Sequence, residues 1–412
     1  MHAGAVESAT DPRFSPRLLG AAPHRLLFFV GAANLLLAMA WWALWLAAAR
    51  WPLFAMPQSD PYAGWLHAFV MQYQVLPSFM FGFLLTTFPR WMGLPDLARW
   101  RYMPVGLGLF GGQLATLLGA FGWLAGSVVG ALMTLASWLF GLATLGALLL
   151  RDTGTTWHAR ACFAALMLGL GGLLAWTAFL LGAAPIWAFI SIKLGTFGLL
   201  LPMYLTVAHR MVPFFAGRVV PGYQPWQPMW LLAALWALCL LHLMLELRHA
   251  YAWLWLADLP LLGLTLALLW RWWPRGRQPG LLLALFVGLA WLPATFALYA
   301  AQSLAYLVSD QLLLGRAPAH ALFIGFFGSV LVAMVTRVVQ GHSGRALEMP
   351  AVAWCAFVAI QAVALMRVFA EVLPDGMAWQ AAAAIGWVVA FAPWVARIGS
   401  ILLAPRVDGK AG

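Results

Sequence analysis

The sequence predicts an all-α, polytopic membrane protein, a helix bundle of about twelve transmembrane helices, and three observations support this fold class. Of the 412 residues, 64% are hydrophobic and 8% are charged, whereas soluble proteins contain roughly 25% charged residues. The apolar residues come in long blocks, each near the ~20 residues that a helix needs to cross a bilayer. The alternating segments of ~10 residues that are typical of a transmembrane β-barrel do not occur.

The apolar blocks and the short connections between them define the expected elements. The twelve spans are predicted at 26–49, 65–88, 102–124, 127–150, 159–183, 185–209, 228–248, 251–273, 280–308, 318–340, 351–373 and 379–402. The ninth is long and contains Pro293, so a kink or a partly extramembrane end is expected there. We predict one membrane domain at 24–403, with cytoplasmic tails at 1–23 and 404–412 and no cleavable signal peptide.

The distribution of positive charge predicts the orientation. Eighteen Lys and Arg residues fall in the tails and in the loops on the side of the N-terminus, and three fall on the opposite side. Because cytoplasmic loops of membrane proteins carry the excess of Lys and Arg, both termini are predicted to be cytoplasmic, in a bacterial inner membrane. The net charge of +11 therefore orients the chain in its lipid bilayer and indicates no nucleic-acid partner.

The histidines of the membrane domain sort into two depths. An outer tier near the periplasmic face holds His67, His242, His249 and His320, and an inner tier near the cytoplasmic face holds His24, His158, His209 and His342. As a helix, the segment from His320 to His342 rises about 33 Å, which is roughly one hydrocarbon thickness. These two imidazoles therefore belong to different sites.

The stretch that begins at His67 carries a polar stripe. At 100° per residue, His67, Met71, Gln74 and Ser78 share one face of an otherwise apolar helix. An imidazole and a thioether on an inward face are groups that can line a cofactor pocket. A polar seam that hydrogen-bonds neighbouring helices explains the same pattern, and the sequence leaves both interpretations open.

His320 opens a much more apolar stretch. Its predicted helical face carries Ile324, Phe327, Leu331 and Met334. An imidazole above an apolar and aromatic wall is the arrangement that a haem axial ligand requires. An interfacial histidine that is satisfied by water or backbone would show the same pattern. We predict that His67 and His320 work together at the outer tier, with an inner-tier site of His209, His342 and His24 as the alternative.

Several charged residues fall within or near the apolar spans. Lys193 and Asp258 are candidates for function, because ionisable side chains inside a membrane are costly. Lys193 is expected to need a partner or a cavity, and Asp258 to be solvated where Pro260 breaks its helix. Arg367 and Glu371 are predicted to form an ion pair at i, i+4.

The segment "HLMLELRH" places His242, Glu246 and His249 on one helical face. Di-iron bundles need two Glu-x-x-His motifs and further carboxylates, and this chain offers one. The favoured interpretation is a solvated helix end rather than a metal site.

The cytoplasmic ends of three spans repeat a basic motif. Arg90, Arg210, Arg337 and Arg345 lie in "TTFPRWMG", "AHRMVPFF" and "VTRVVQGHSGR". Together with His209 and His342 they are candidates for an anion or propionate site. Arginines that only set the topology explain the same motifs.

Three stretches, taken in order, resemble the NnrS family of haem- and copper-containing membrane proteins of the nitric oxide response. They are "WLHAFVMQYQVLPSFMFGFLLTTFPRW", "AHRMVPFF" and "HALFIGFFGSVLVAMVTRVVQGHSGR". Many members of that family resemble His-Ala-His-Glu-Met where this chain has His67-Ala68-Phe69-Val70-Met71. The missing His and Glu place any metal role of that pair in doubt here, whereas His67 itself matches.

The resemblance implies a b-type haem, copper as a further cofactor, and nitric oxide or a related small ligand in a nitrosative stress response. It does not supply a reaction, and the sequence leaves open whether the protein is an enzyme. One alternative is a twelve-span secondary transporter without haem, although no internal repeat relates the two halves. Another is a quinol-linked redox enzyme, which would need several histidines close together.

Overall fold

The computed structural model describes residues 14–57, 59–123 and 125–409. Within these ranges the secondary structure is entirely helical, and twelve helices are long and apolar enough to cross a membrane. The predicted fold class is confirmed. The predicted tails at 1–23 and 404–412 lie partly outside the described residues; Pro16–Ala21 forms one short helical turn before the first span.

The twelve spans, numbered here in chain order, have the following bounds: Pro23–Arg50, Ala63–Trp91, Met103–Ala120, Gly126–Leu149, Trp157–Leu180, Ile186–Val219, Met229–Leu247, Tyr251–Trp272, Gly280–Ser309, Ala317–His342, Ala351–Phe369 and Gly376–Leu402.

Span 6 shows the largest departure from the predicted bounds. It was predicted to end at residue 209, but the helix continues through Pro213 to Val219. The hydropathy falls at His209 and Arg210, whereas the amphipathic face of the helix continues to pack inside the bundle, with His209, Val212 and Phe215 buried. His209 therefore lies inside a long helix rather than at its end.

The outer surface and the interior of the bundle differ in the way that a lipid solvent requires. Large apolar side chains such as Leu139, Val358 and Val389 are exposed along the spans, which suits contact with lipid tails. Buried polar groups such as Asn34, Gln74 and Gln113 lie inside and bond to other helices or their backbone. Span 2 is the most enclosed helix, with 83% of its apolar window buried, against 33% for span 8.

The packing recurs every fourth span. Span 4 packs against span 5, span 8 against span 9, and span 12 against span 1, so the bundle closes on itself. Spans 2, 6 and 10 each pack against the span that precedes them.

Spans 2, 6 and 10 also share a local distortion. Each contains a π-helical segment, at Val70–Val75, Leu194–Leu200 and Ala321–Gly328, and these are the π-helical segments of the described residues. Such segments widen a turn to i→i+5 bonding and occur frequently at functional sites. They begin just after His67, Lys193 and His320, three residues that the sequence analysis selected independently.

Candidate functional site

A cavity of about 490 Å³ lies among the spans, next to the three π-helical segments. Its volume is within the range of about 300–1,000 Å³ that is usual for small-molecule and cofactor sites. The wall is mainly apolar and aromatic, with Leu35, Met39, Trp42, Phe323, Ile324, Leu331, Trp387 and Phe391 among its members. The polar and charged side chains that line it are His67, Gln72, Lys193, Thr196, Glu246, Tyr251, Tyr299, Gln302, Arg316, His320, Arg367 and Gln380.

His67 is held in this wall by an aromatic neighbour. Its imidazole stacks on the indole of Trp42 from span 1, with ring centroids 4.4 Å apart and planes 8° from parallel. Its Nδ1 atom is buried and has no hydrogen-bond partner within the described part of the chain. Met71, one turn further along span 2, lines the same cavity. A buried ring nitrogen without a partner next to a cavity is a group that a ligand can satisfy.

The polar stripe predicted after His67 is divided in two. Gln74 is buried away from the cavity and donates to Thr116 and Thr134 of spans 3 and 4, and Ser78 donates to the carbonyl of Gln74. Gln72 lines the cavity instead. The prediction assumed a regular 100° per residue, and the π-helical segment at Val70–Val75 changes the phase of the face that follows it.

Gln72 also fixes how closely spans 2 and 6 approach. Its Nε2 atom donates to Thr196 Oγ1 over 2.9 Å. Gly195 permits this contact, because a Cβ atom at that position would lie 2.1 Å from Gln72 Oε1. The absence of a side chain at Gly195 therefore allows spans 2 and 6 to pack closely beside the cavity.

His320 has a defined tautomer. Its Nδ1 atom lies 2.9 Å from the carbonyl oxygen of Arg316, and a carbonyl can only accept, so Nδ1 carries the proton and donates it. The Nε2 lone pair is then free to bind a metal or accept a hydrogen bond. Metal-ligating histidines are commonly oriented by a hydrogen bond of this kind from the other ring nitrogen.

The prediction of an apolar wall that follows His320 along its helix is only partly correct. Ile324 and Leu331 line the cavity together with Phe323. Phe327 instead packs on Tyr204, with ring centroids 4.4 Å apart, and Met334 faces a second, small apolar pocket. The π-helical segment at Ala321–Gly328 again shifts the phase, so Phe323 takes the place that the regular helix assigned to Phe327.

Two arginines line the same cavity. Arg316 is exposed and precedes span 10, and Arg367 is largely buried near the end of span 11. The predicted Arg367–Glu371 pair is confirmed, with Nη1 and Oε1 2.5 Å apart. Neither arginine was predicted to line the cavity. Arg316 is one of the three cations on the side opposite the N-terminus, and only the tertiary fold shows that both arginines accompany His320.

Lys193 has both the partner and the cavity that its position predicted. Its Nζ atom lies 2.7 Å from Glu246 Oε2 of span 7, and both residues line the cavity. His242 lies behind Glu246 and contacts it at 3.5 Å through Nε2. The Nδ1 atom of His242 lies 2.7 Å from Asp258 Oδ1 of span 8.

The predicted solvation of these groups is wrong. His242 and Asp258 are 0% exposed and Glu246 is 3% exposed, and span 8 continues as a helix through Pro260. The segment sits near a helix end, but spans 6, 8 and 9 cover it. His249 is exposed, and its Nδ1 atom lies 2.8 Å from Tyr251 Oη. His249 therefore does not lie with His242 and Glu246, although the sequence pattern placed all three on one helical face.

The inner-tier histidines form two separate pairs. The rings of His24 and His342 lie 4.1 Å apart between centroids. His158 Nε2 lies 2.9 Å from His209 Nδ1, and His209 Nε2 lies 3.2 Å from the carbonyl of Pro228. His209 and His342, which the alternative site would combine, thus each have another imidazole as partner.

The four arginines proposed for an anion site have different neighbours. Arg210 lies over the ring of Trp91 at 4.4 Å, and Arg337 over the ring of Phe215 at 3.9 Å. Arg90 lies 3.9 Å from Asp96. The backbone N–H of Arg345 donates to Gln340 in the turn after span 10. Three of the four guanidinium groups therefore have individual partners.

Among residues 14–57, 59–123 and 125–409, no group of three or more His, Cys, Asp or Glu side chains is placed to hold a metal ion.

The fold and the cavity together define a multi-pass helical membrane protein with a cofactor-sized internal site. The chain belongs to the NnrS family: the family model described as "NnrS protein" matches residues 19–406, nearly the whole chain. No curated protein matches the sequence.

Proposed function

We propose that this chain is a haem-binding protein of the bacterial inner membrane, and that His67 and His320 hold the haem iron. The observation that carries the proposal is that two imidazoles from different spans line one cavity of cofactor size. A haem iron takes one or two axial side chains from the protein. His67 offers a ring nitrogen that has no partner among the described residues, and His320 is fixed in the tautomer that leaves the Nε2 lone pair available.

The remaining wall of the cavity suits the other parts of a porphyrin. Trp42, Phe323, Ile324, Leu331 and Trp387 provide apolar and aromatic contacts. Arg316 and Arg367 provide cations on the side of His320, and guanidinium groups bind carboxylates such as propionates with two parallel hydrogen bonds. This assignment replaces the inner-tier arginines as the propionate partners.

When bound, haem would supply an iron centre at which a diatomic ligand such as nitric oxide coordinates. His67 and His320 would hold the iron, and the apolar wall of the cavity would exclude water from it. We assign the nitric oxide response to this site.

The test is the visible absorption spectrum and the haem, iron and copper content of the full-length protein, purified from cells supplied with iron and copper. The proposal expects about one b-type haem per chain, as one porphyrin fills one such cavity. Protein that is folded and free of haem under these conditions would contradict it.

A secondary transporter is the second candidate, because the Lys193–Glu246 pair lies inside the membrane and lines the cavity. Ionisable groups of this kind mark substrate and ion pathways. The spectrum separates the two functions: a colourless protein that moves a charged solute across liposomes would favour transport.

A further inference from the structure

Four ionisable residues form a row that begins in the cavity wall and ends in the protein interior. It runs from Lys193 to Glu246, to His242 and to Asp258, with successive separations of 2.7, 3.5 and 2.7 Å. Lys193 and Glu246 line the cavity, whereas His242 and Asp258 are wholly buried behind them. Neither NnrS membership nor the proposed haem site assigns a role to these residues.

The burial of these four residues favours a low net charge, and the net charge sets how many protons they hold. With Lys193 as ammonium, both carboxylates ionised and His242 neutral, the group carries a net charge of −1. One further proton makes it neutral, and an uncompensated charge in a buried site is strongly unfavourable. The burial therefore favours a state in which His242 and Asp258 share one additional proton.

The surroundings keep that proton from water. Phe197 stacks on the His242 ring with centroids 3.8 Å apart, and Tyr299 of span 9 packs edge-on at 5.0 Å. Two other titratable groups face these four residues. They are Cys239, one turn before His242, and Tyr251, beside Glu246 in the cavity wall. Asp258 Oδ2 is buried with no hydrogen-bond partner in the part of the chain that the structure describes.

The 3.5 Å step between His242 Nε2 and Glu246 Oε1 is longer than a hydrogen bond, which needs about 2.7–3.2 Å. All the other steps are short. Of the four residues, Glu246 is the one that lines the cavity and also contacts His242. A small movement of its side chain would form or break a hydrogen bond between Glu246 and His242. Asp, Glu and His chains of this kind form proton relays inside membrane proteins.

We propose that Lys193, Glu246, His242 and Asp258 form a proton relay that stores one proton on the His242–Asp258 pair and exchanges it with a basic ligand in the cavity. In the outward step, the N–H bond at His242 Nε2 breaks and an O–H bond forms at Glu246 Oε1. That O–H bond then breaks as the proton passes to the ligand. No electrons are transferred, and the reverse path reloads the pair. The relay does not depend on haem.

The test is nuclear magnetic resonance of ¹⁵N-histidine-labelled, full-length protein in lipid nanodiscs. The signal that disappears in His242→Gln identifies His242. The relay predicts protons on both of its ring nitrogens, with solvent exchange of Nε2–H that Glu246→Gln slows at least about tenfold. Asp258→Asn should remove one of the two ring protons.

The control is Glu371→Gln, which removes a carboxylate paired with Arg367 and should leave the His242 signals unchanged. If Glu246→Gln does not fold, Glu246→Asp shortens the same carboxylate and should slow the exchange without abolishing it. A single ring proton on His242, or an exchange rate that neither Glu246 variant changes, would overturn the relay and leave a static buried pair.

Discussion

The imidazole of His67 and the indole of Trp42 are stacked face to face, with ring centroids 4.4 Å apart. Within residues 14–57, 59–123 and 125–409 the buried Nδ1 atom of His67 has no hydrogen-bond partner, so the contact with Trp42 helps to restrain the orientation of the imidazole. Spans 1 and 2 thereby present one ring edge to the cavity. The arrangement makes Trp42 a positioning residue for the proposed iron ligand.

Replacement of Trp42 tests this positioning. Trp42→Ala should reduce haem retention during purification and broaden the absorption band, because the His67 ring gains rotational freedom. Trp42→Phe keeps a flat ring and should retain most of the haem. The haem-to-protein absorbance ratio is the measurement. Equal haem content in the Ala and Phe variants would show that the stacking does not position His67.

The Lys193–Glu246 pair should contribute to stability as a unit. Lys193→Met leaves the Glu246 carboxylate, which is 4% exposed, without its cation. Such a loss costs about 3–5 kcal/mol for a buried pair, and the partial exposure of Lys193 places the expected effect at or below the lower end of that range. The measurement is the free energy of unfolding in mixed micelles.

The matched variant is Lys193→Met combined with Glu246→Gln, which removes both charges. It should recover a large part of the stability lost in Lys193→Met, since replacing both members of a buried pair is often close to neutral. A double variant that is as unstable as the sum of the two single variants would contradict the pairing.

Arg50 and Asp375 join the ends of spans 1 and 12 at the surface. The Asp375 carboxylate bonds the guanidinium of Arg50 at 2.6–3.0 Å and also accepts from the backbone of Ala378. The hydrogen bond from Arg50 lowers the pKa of Asp375 below its usual value. A lowered folded-state pKa means that the pair contributes stability above the unfolded pKa of ~3.9 and loses it as pH falls.

The thermal midpoint of the wild-type protein should therefore fall as the pH is lowered below about 5, in part through this group. In Asp375→Asn the midpoint should be lower at neutral pH and should depend less on pH across the acidic range. Identical pH profiles of the two proteins would show that the surface pair does not contribute.

The orientation in the membrane remains a prediction from the eighteen-to-three charge bias. Reporter fusions after residue 220 and after residue 313 should report the cytoplasm and the periplasm, respectively. The two sites follow spans 6 and 9, so they lie on opposite sides. The reverse pattern would place the outer-tier histidines and the cavity at the cytoplasmic face.

The sequence was sufficient for the features that depend on local composition. The number of spans, the common depth of His67 and His320, and the need of Lys193 for a partner follow from hydropathy, helix rise and the cost of a charge in hydrocarbon. Each of those predictions requires only the sequence of a single helix. They do not require knowledge of which helices are neighbours.

The features that depend on tertiary packing were not predictable in the same way. Gln72 rather than Gln74 reaches the cavity, because a π-helical segment interrupts the regular period. His242 and Asp258 are buried because other spans cover a helix end that looks solvated in sequence.

The most direct test of the central claim is the Soret band of five single variants of the purified full-length protein. His67→Ala and His320→Ala should each bleach or shift the band, because each removes a proposed axial ligand. His342→Ala, His209→Ala and the exposed His249→Ala should leave it unchanged. If His342→Ala or His209→Ala abolishes haem while His67→Ala and His320→Ala retain it, the cofactor lies at the inner tier and the assignment to this cavity is wrong.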